Sequence, residues 1–264
     1  MKSIHSFKQM KQEGRKISMV TCYDSCFAKI LAETEIDMLL VGDSVAMVYH
    51  GFDSTIHATM PMMVMHTASV ARGAPKKFII GDMPFLTFKK GPTVALDAAA
   101  ELMRAGADCV KLEGLKGHEG SIEALIGAGI PVMGHLGLTP QSVHQLGGHK
   151  VQAKESREAE ILIAEAKKLE EMGCFSLVLE CVPSELAQKV SVSLKIPCIG
   201  IGAGVGTDGQ VLVLHDMLGA SPEFKPKFLR QYSNLSENTK TSINQYVKDV
   251  QEKTYPSAEE SYKA

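Results

Sequence analysis

Seven residues of this chain have the types and the spacing to share one piece of chemistry: Asp43, Ser44, Asp82, Lys111, Glu113, His135 and Glu180. Each ends or closely follows a short apolar run, as in VGDS (41–44), GDMPF (81–85), VKLEG (110–114) and SLVLE ending at Glu180. Lys111 and Glu113 are two apart, so in a strand both side chains point to one face. Several carboxylates with few thiols or imidazoles suit a hard dication, and Mg²⁺ commonly takes one or two carboxylates plus water and substrate oxygens. Asp43, Asp82 and Glu113 are the expected cage. Without a metal, such crowding would force some of them to protonate. The competing reading is that an aspartate there caps the helix that follows its strand.

Glu180 is expected in an apolar setting that raises its pKa and makes it a usable general base. Lys111 admits two readings: a cation holding a carboxylate or a developing enolate, or a desolvated amine that forms a Schiff base. The neighbouring Glu113 favours the charged form. His135 could bond a substrate oxygen, whereas His66, within MMVMHTASV, reads as a satisfied core or helix-surface residue. GVGTDG (204–209) formally matches a dinucleotide-binding pattern, but it lacks the following long helix and acidic partner. Its glycines are expected to let a ligand approach the backbone.

Residues so far apart in the chain need a scaffold that gathers strand ends. Eight short apolar runs are candidate strands: 17–24, 37–44, 77–85, 109–114, 131–137, 175–182, 197–204 and 211–217. Between them, Ala95, Ala99, Leu102 and Ala105 recur at helical spacing, as do Leu162, Ala166 and Leu169. Both helices stop at a glycine, Gly106 and Gly173, as a left-handed C-terminal cap requires. Strands apolar on both faces, alternating with helices, imply a parallel sheet covered by helices. Eight such units and no Pro/Ser-rich linker favour one α/β domain over residues 1–264, a (β/α)8 TIM barrel, over an open doubly wound sheet. Residues 1–16 are expected to form an extra N-terminal helix closing one end, and SINQYVKDVQEK (242–253) the last outer helix. In such a barrel every strand delivers its C-terminal residues to one mouth, where the seven residues would meet.

Composition limits the partners. The 264 residues are 45% apolar with a formal net charge of −2, so no basic field gathers nucleic acid or anionic lipid. No run reaches the roughly 18 apolar residues of a membrane span, and no signal-peptide core opens the chain. A cytoplasmic protein acting on small molecules is expected. The six cysteines form no C-x-x-C pair and are expected to be buried, reduced thiols rather than a zinc site.

VGDS (41–44), GDMPF (81–85), VKLEG (110–114), GHLGLTPQSV (134–143), VLECVP (178–183) and IGIGAG (199–204) occur in an order and spacing that resembles the ketopantoate hydroxymethyltransferase family over residues 3 to 256. The resemblance implies a barrel of the phosphoenolpyruvate/pyruvate type and a transfer of a one-carbon unit from 5,10-methylenetetrahydrofolate to the keto acid 3-methyl-2-oxobutanoate. The product would be 2-dehydropantoate, on the way to pantothenate and coenzyme A, through a Mg²⁺-stabilised enolate. Carried over residue by residue, Asp43, Asp82 and Glu113 would be the Mg²⁺ ligands or their immediate shell. Asp43, Ser44, Asp82 and Lys111 would contact the keto acid, with His135 beside them, and Glu180 would be the base. A ring-like homo-oligomer, a decamer in relatives, is also implied. Cys22 and Ala153 stand where the family pattern leads one to expect alanine and glycine. Two other enzyme readings stay open: a Mg²⁺-dependent lyase or mutase of the phosphoenolpyruvate/isocitrate lyase type, and a Schiff-base aldolase using Lys111. A barrel that only binds a keto acid is the non-enzymatic alternative.

Overall fold

The computed structural model describes residues 2–263. They form two compact units, one running to Val213 and the other beginning at Leu214, where a single domain over 1–264 was expected. No composition break marks the boundary, which explains why the sequence reads as continuous there.

The first unit is a closed barrel of eight parallel strands in chain order, with β1 (Ile17–Thr21) pairing both β2 (Met38–Val41) and β8 (Gly209–Leu212). Between them lie β3 (Phe78–Asp82), β4 (Cys109–Glu113), β5 (Val132–Gly137), β6 (Ser176–Glu180) and β7 (Cys198–Ile201). The expected pairing of helix with strand is found. Helix α5 (Pro92–Arg104) buries Ala95, Ala99 and Leu102, and α8 (Ser156–Met172) buries Leu162, Ala166 and Leu169. Gly106 and Gly173 follow them at φ 106° and 102°, the left-handed conformation that ends a helix at least cost in glycine.

The pleat sorts the barrel interior into layers. Phe78, Ile80, Cys109, Met133, Val178, Ile199 and Val211 belong to one apolar cluster. Two residues further along the same faces stand Asp82, Lys111, His135 and Glu180, so one alternation runs apolar at one end of the barrel and polar at the other.

The apolar end is closed by α1 (Ile4–Gln12), as expected of the extra N-terminal helix. Its Phe7 and Met10 are buried in the same cluster, and the Phe7 ring meets Phe78 edge-on at 5.0 Å. Each such side chain contributes about 1.5–3 kcal/mol by leaving water. Lys11 fixes the helix: its Nζ donates to the Ser191 and Ile196 carbonyls (2.7 and 2.9 Å) and to Asp208 Oδ2 (2.7 Å). Asp208 in turn accepts from Ser191 Oγ and the Cys198 amide.

Two expectations need correction. The eighth strand is Gly209–Leu212, not 211–217, because Leu214–Met217 turns into the short helix α10 of the second unit. The glycines of GVGTDG serve packing, not a ligand. A Cβ on Gly204 would stand 2.4 Å from Ser184 Cβ, on Gly206 2.7 Å from Gln188 Cβ, and on Gly209 2.3 Å from the Ile17 carbonyl. All six cysteines are free, but Cys26 is exposed and Cys181 half-buried, while the other four are buried as expected.

In the second unit, Tyr232 N–H donates to the Met217 carbonyl and Leu235 N–H to that of Leu218. The C-terminal helix α11 spans Leu235–Gln251 in place of the expected 242–253, belongs to the second unit instead of serving as the barrel unit's last outer helix, and buries none of its residues. Ile243, Tyr246, Val247 and Val250 recur on one exposed face of it.

Replacing Lys11 by methionine should lower the unfolding free energy by about 2–3 kcal/mol, because Asp208 then keeps a partly buried charge without its cation. Urea unfolding measures this. An unchanged midpoint would show that the helix is held by apolar contacts alone.

Candidate active site

At the polar mouth, Asp43, Asp82, Lys111, Glu113 and His135 are all buried, none more than 4% exposed. The register accounts for this. Asp82 lies opposite Lys111 and Glu113 opposite His135, so three adjacent strands place four charged or ionisable side chains on one face at two successive register positions. Asp43 joins them from the turn after β2, where its backbone N–H donates to Asp82 Oδ2 (3.2 Å).

The capping alternative does not hold for the two aspartates. The helix after Asp82 is α5, whose N-cap is Gly91. The helix after Asp43 is the short α3 (Val45–Val48), capped at Ser44 with no side-chain bond. Asp24, by contrast, accepts from the Cys26 and Phe27 amides and is a true cap.

Lys111 Nζ stands 2.9 Å from Asp82 Oδ1. Burial alone would push this ammonium toward neutrality, but Asp82, Glu113 and Asp43 outweigh it and hold the lysine above its usual range. Its direct partner is Asp82, and Glu113, as expected, adds to the field that favours the charged form. A lysine so held is a fixed cation and a poor amine nucleophile.

His135 links two carboxylates. Its Nδ1 lies 3.6 Å from Glu113 Oε1 and its Nε2 3.3 Å from Glu180 Oε2. Burial and the Lys111 charge lower its basicity, yet Glu113 and Glu180 together raise its pKa to about 9. The two carboxylates favour the protonated ring, whereas in the neutral tautomer Nδ1 accepts from Lys111 Nζ at 3.3 Å.

The apolar setting expected around Glu180 is not found. Glu180 ends β6 with its side chain 18% exposed and faces His135. Cys181, which follows it, has its thiol pushed up to about 11 by burial and by the Glu180 charge, so it supplies no thiolate.

The negative charge is underbalanced. Asp43, Asp82 and Glu113 share the cavity, with Glu180 at its rim, against the two cations Lys111 and His135. Burial, then repulsion from Asp82 and Glu113, drives the Asp43 carboxyl well above its ordinary value, and burial raises Asp82 despite Lys111. Glu113 goes the other way. Burial raises it, but His135, Lys111 and the Gln141 amide more than compensate. Asp82 Oδ1 and Glu113 Oε1 are buried without an aligned hydrogen-bond donor.

A cation would relieve the repulsion, and oxygen donors suit Mg²⁺. Among the described residues, however, no three His, Cys, Asp or Glu side chains converge on one point. The carboxylates thus share a cavity without closing a three-ligand cage. Mg²⁺ bound through one or two carboxylates, with water and substrate completing its shell, fits this donor set.

Two contributors were missed in the sequence. Gln141, in the 3₁₀ turn Pro140–Ser142, donates its side-chain amide to Asp43 Oδ2 (2.8 Å) and to the Met83 carbonyl (3.0 Å), and its backbone N–H to Glu113 Oε2 (3.0 Å). Tyr23, fully buried, shares a 2.8 Å hydrogen bond with Ser44 Oγ and so orients it. Both lie in loops, where no periodicity marks them; only the polar glutamine inside GHLGLTPQSV was a signal. His66 is a satisfied core residue, its Nδ1 2.5 Å from the Tyr23 carbonyl and its Nε2 2.8 Å from His50.

Behind Glu180 the backbone is strained. Cys181 has φ 49° and its carbonyl accepts the Gln152 amide (2.8 Å), and the next residue, Ala153, has φ 54°. Non-glycine residues pay for that conformation. Ala153 is where the family pattern leads one to expect glycine.

The sequence profile of the ketopantoate hydroxymethyltransferase family matches residues 1–258. A protein named 3-methyl-2-oxobutanoate hydroxymethyltransferase from Legionella pneumophila (strain Philadelphia 1) is 54% identical over 260 residues, 98% of this chain and 99% of its own. One of the same name from Bdellovibrio bacteriovorus is 50% identical over 262 residues, 99% of this chain and all of its own. Among solved structures, a phosphonopyruvate hydrolase bound to oxalate and Mg²⁺ superposes with a TM-score of 0.64 at 10% identity, covering 98% of this chain and 93% of that one. A 2,3-dimethylmalate lyase of the PEP mutase/isocitrate lyase superfamily gives 0.61 at 16% identity, covering 95% and 99%. At such identities the likeness is one of fold, a closed barrel of eight parallel strands.

Two outcomes follow from this geometry. Sodium borohydride added with a 2-keto acid should leave no covalent adduct on Lys111 by mass spectrometry; a trapped adduct would show that the amine reacts as a nucleophile. Ala153→Gly should raise the unfolding free energy by roughly 0.5–1 kcal/mol, the relief of left-handed strain exceeding the added entropy of an unfolded glycine. A less stable variant in urea unfolding would mean that the loop carries no strain.

Proposed function

The chain belongs to the ketopantoate hydroxymethyltransferase family, and from that premise we propose that it transfers a hydroxymethyl group from 5,10-methylenetetrahydrofolate to 3-methyl-2-oxobutanoate. The product is 2-dehydropantoate, which leads to pantothenate and coenzyme A. The observation that carries this reading is the pairing of a rim carboxylate, Glu180, with a buried cluster of opposed charges fit to receive an oxygen-rich anion.

Glu180 acts as the general base that takes the C3 proton of the keto acid. Partial exposure lets it reach substrate, and His135, whose Nε2 stands 3.3 Å from Glu180 Oε2, flanks its carboxylate. The Lys111 ammonium and the Ser44 hydroxyl, the latter oriented by Tyr23, hold the keto acid's oxygens. Mg²⁺, held by Asp43 and Asp82 with Glu113 balancing charge behind them, would supply Lewis acidity to the carboxylate and keto oxygens. Gln141 keeps Asp43 and Glu113 apart and aimed. The C3 carbon freed of its proton bonds to the donor's methylene carbon; overall one water is consumed and tetrahydrofolate leaves. The buried inner layer excludes bulk water from the developing charge.

The reading includes a homo-oligomer working in the cytoplasm. The exposed apolar face of α11 is of the kind that another protein surface covers, and among the described residues no helix is long and apolar enough to cross a membrane.

Incubated with Mg²⁺ and 3-methyl-2-oxobutanoate in D₂O without folate, the protein should exchange the C3 hydrogen for deuterium, seen by NMR. Glu180→Gln should slow this by about 10²–10⁴-fold, the usual contribution of a positioned base. Equal exchange in the variant would remove Glu180 from the role.

A further inference from the structure

His66 takes no part in the chemistry above, yet two paths to Ser44 meet at it. It lies buried in α4 (Met60–Gly73), with Nδ1 2.5 Å from the Tyr23 carbonyl and Nε2 2.8 Å from His50 Nε2. A carbonyl only accepts, so Nδ1 carries a proton. Burial lowers the His66 pKa, the Tyr23 carbonyl opposes that and His50 adds to it. The ring is thus neutral at pH 7, and its bare Nε2 accepts from His50.

The first path runs through Tyr23, whose ring is fully buried and whose hydroxyl lies 2.8 Å from Ser44 Oγ. A serine hydroxyl has one proton to give. If Ser44 gives it to a substrate oxygen, it must accept from Tyr23. The second path runs through His50, whose backbone N–H donates to the Val45 carbonyl and closes α3, the helix capped at its start by Ser44. Tyr49, at the other end of that helix, meets the His66 ring edge-on at 5.3 Å. One buried imidazole therefore touches both the residue that orients the Ser44 side chain and the helix that carries its backbone. Its own helix is firmly seated. A Cβ on Gly73 of α4 would stand 2.6 Å from Ala28 Cβ and 2.7 Å from the Ser25 carbonyl, both in α2 (Ser25–Ala32), which begins two residues after Tyr23.

We infer that His66 is a positioning residue for the reaction: donating from Nδ1 to the Tyr23 carbonyl, it sets where the Tyr23 and Ser44 hydroxyls stand, and so how tightly the keto acid is held. The inference rests on the role given to Ser44 above. A side chain that only filled the core could be exchanged for any other of like volume. This one needs an N–H at the δ position of the side chain.

Asparagine carries its amide N–H at that δ position and glutamine carries it one atom further out, so His66→Asn and His66→Gln separate the donor from the volume. The dissociation constant of 3-methyl-2-oxobutanoate, from calorimetric titration with Mg²⁺ present, should stay within about twofold of wild type in His66→Asn. In His66→Gln it should rise about three- to tenfold, the value of one hydrogen bond. Tyr23→Phe should also weaken binding, and adding His66→Gln to it should weaken binding no further, because both act through one hydroxyl. Wild-type affinity in His66→Gln, an equal loss in His66→Asn, or a further loss in the double variant overturns the inference. Should the variants fold poorly, ¹⁵N NMR of the wild-type imidazoles decides: His66 should carry its proton on Nδ1, and a proton on Nε2 alone overturns the inference. Folate-free C3 exchange by wild type reads the activity separately. Its absence, with keto-acid binding and the contrast between the two variants retained, breaks the activity reading and not the role of His66; no keto-acid binding by wild type overturns both.

Discussion

Everything at the mouth of this barrel follows from placing Asp43, Asp82 and Glu113 together out of water. Two like charges about 4 Å apart repel by roughly 4 kcal/mol at the effective dielectric of a protein, and each also loses hydration. Lys111 and His135 answer part of that charge, and Gln141 and the backbone amides fix the remaining oxygens. The balance is still negative. That residue of charge, visible as the raised Asp43 and Asp82 carboxyls, is what suits the cavity to the dication proposed for it.

Such a cluster is tolerable because the other end of the barrel is ordinary. The Phe7, Phe78 and Phe175 rings and the aliphatic layer above them form a dry plug, anchored by Lys11 at Asp208. The same strands then run from that plug into the charged layer, so burial secured at one end holds unfavourable charge at the other. Strain concentrates at the charged end as well, where Cys181 and Ala153 adopt left-handed backbone beside Glu180.

Much of this was legible in the sequence because period-two alternation and strand-end position are local properties. They placed Asp82, Lys111, Glu113, His135 and Glu180 on one face and brought Asp43 to the same mouth. The charge partners were not legible. That Lys111 pairs directly with Asp82, and that Glu180 faces His135 instead of apolar side chains, depends on the stagger between strands, which no single strand encodes. Gln141 and Tyr23 lie in turns without a repeating pattern. The glycines of GVGTDG misled for a related reason: the sequence shows that a Cβ is unwelcome but not whether ligand or protein stands there.

The central claim is that the unbalanced carboxylates hold one divalent cation together with the keto acid. Calorimetric titration of Mg²⁺ in the presence of saturating 3-methyl-2-oxobutanoate tests it most directly. The account predicts a single ion per chain, bound at least about tenfold more weakly in Asp82→Asn, the equivalent of one lost charged ligand. No Mg²⁺ uptake by wild type, or the same affinity in the variant, would contradict it.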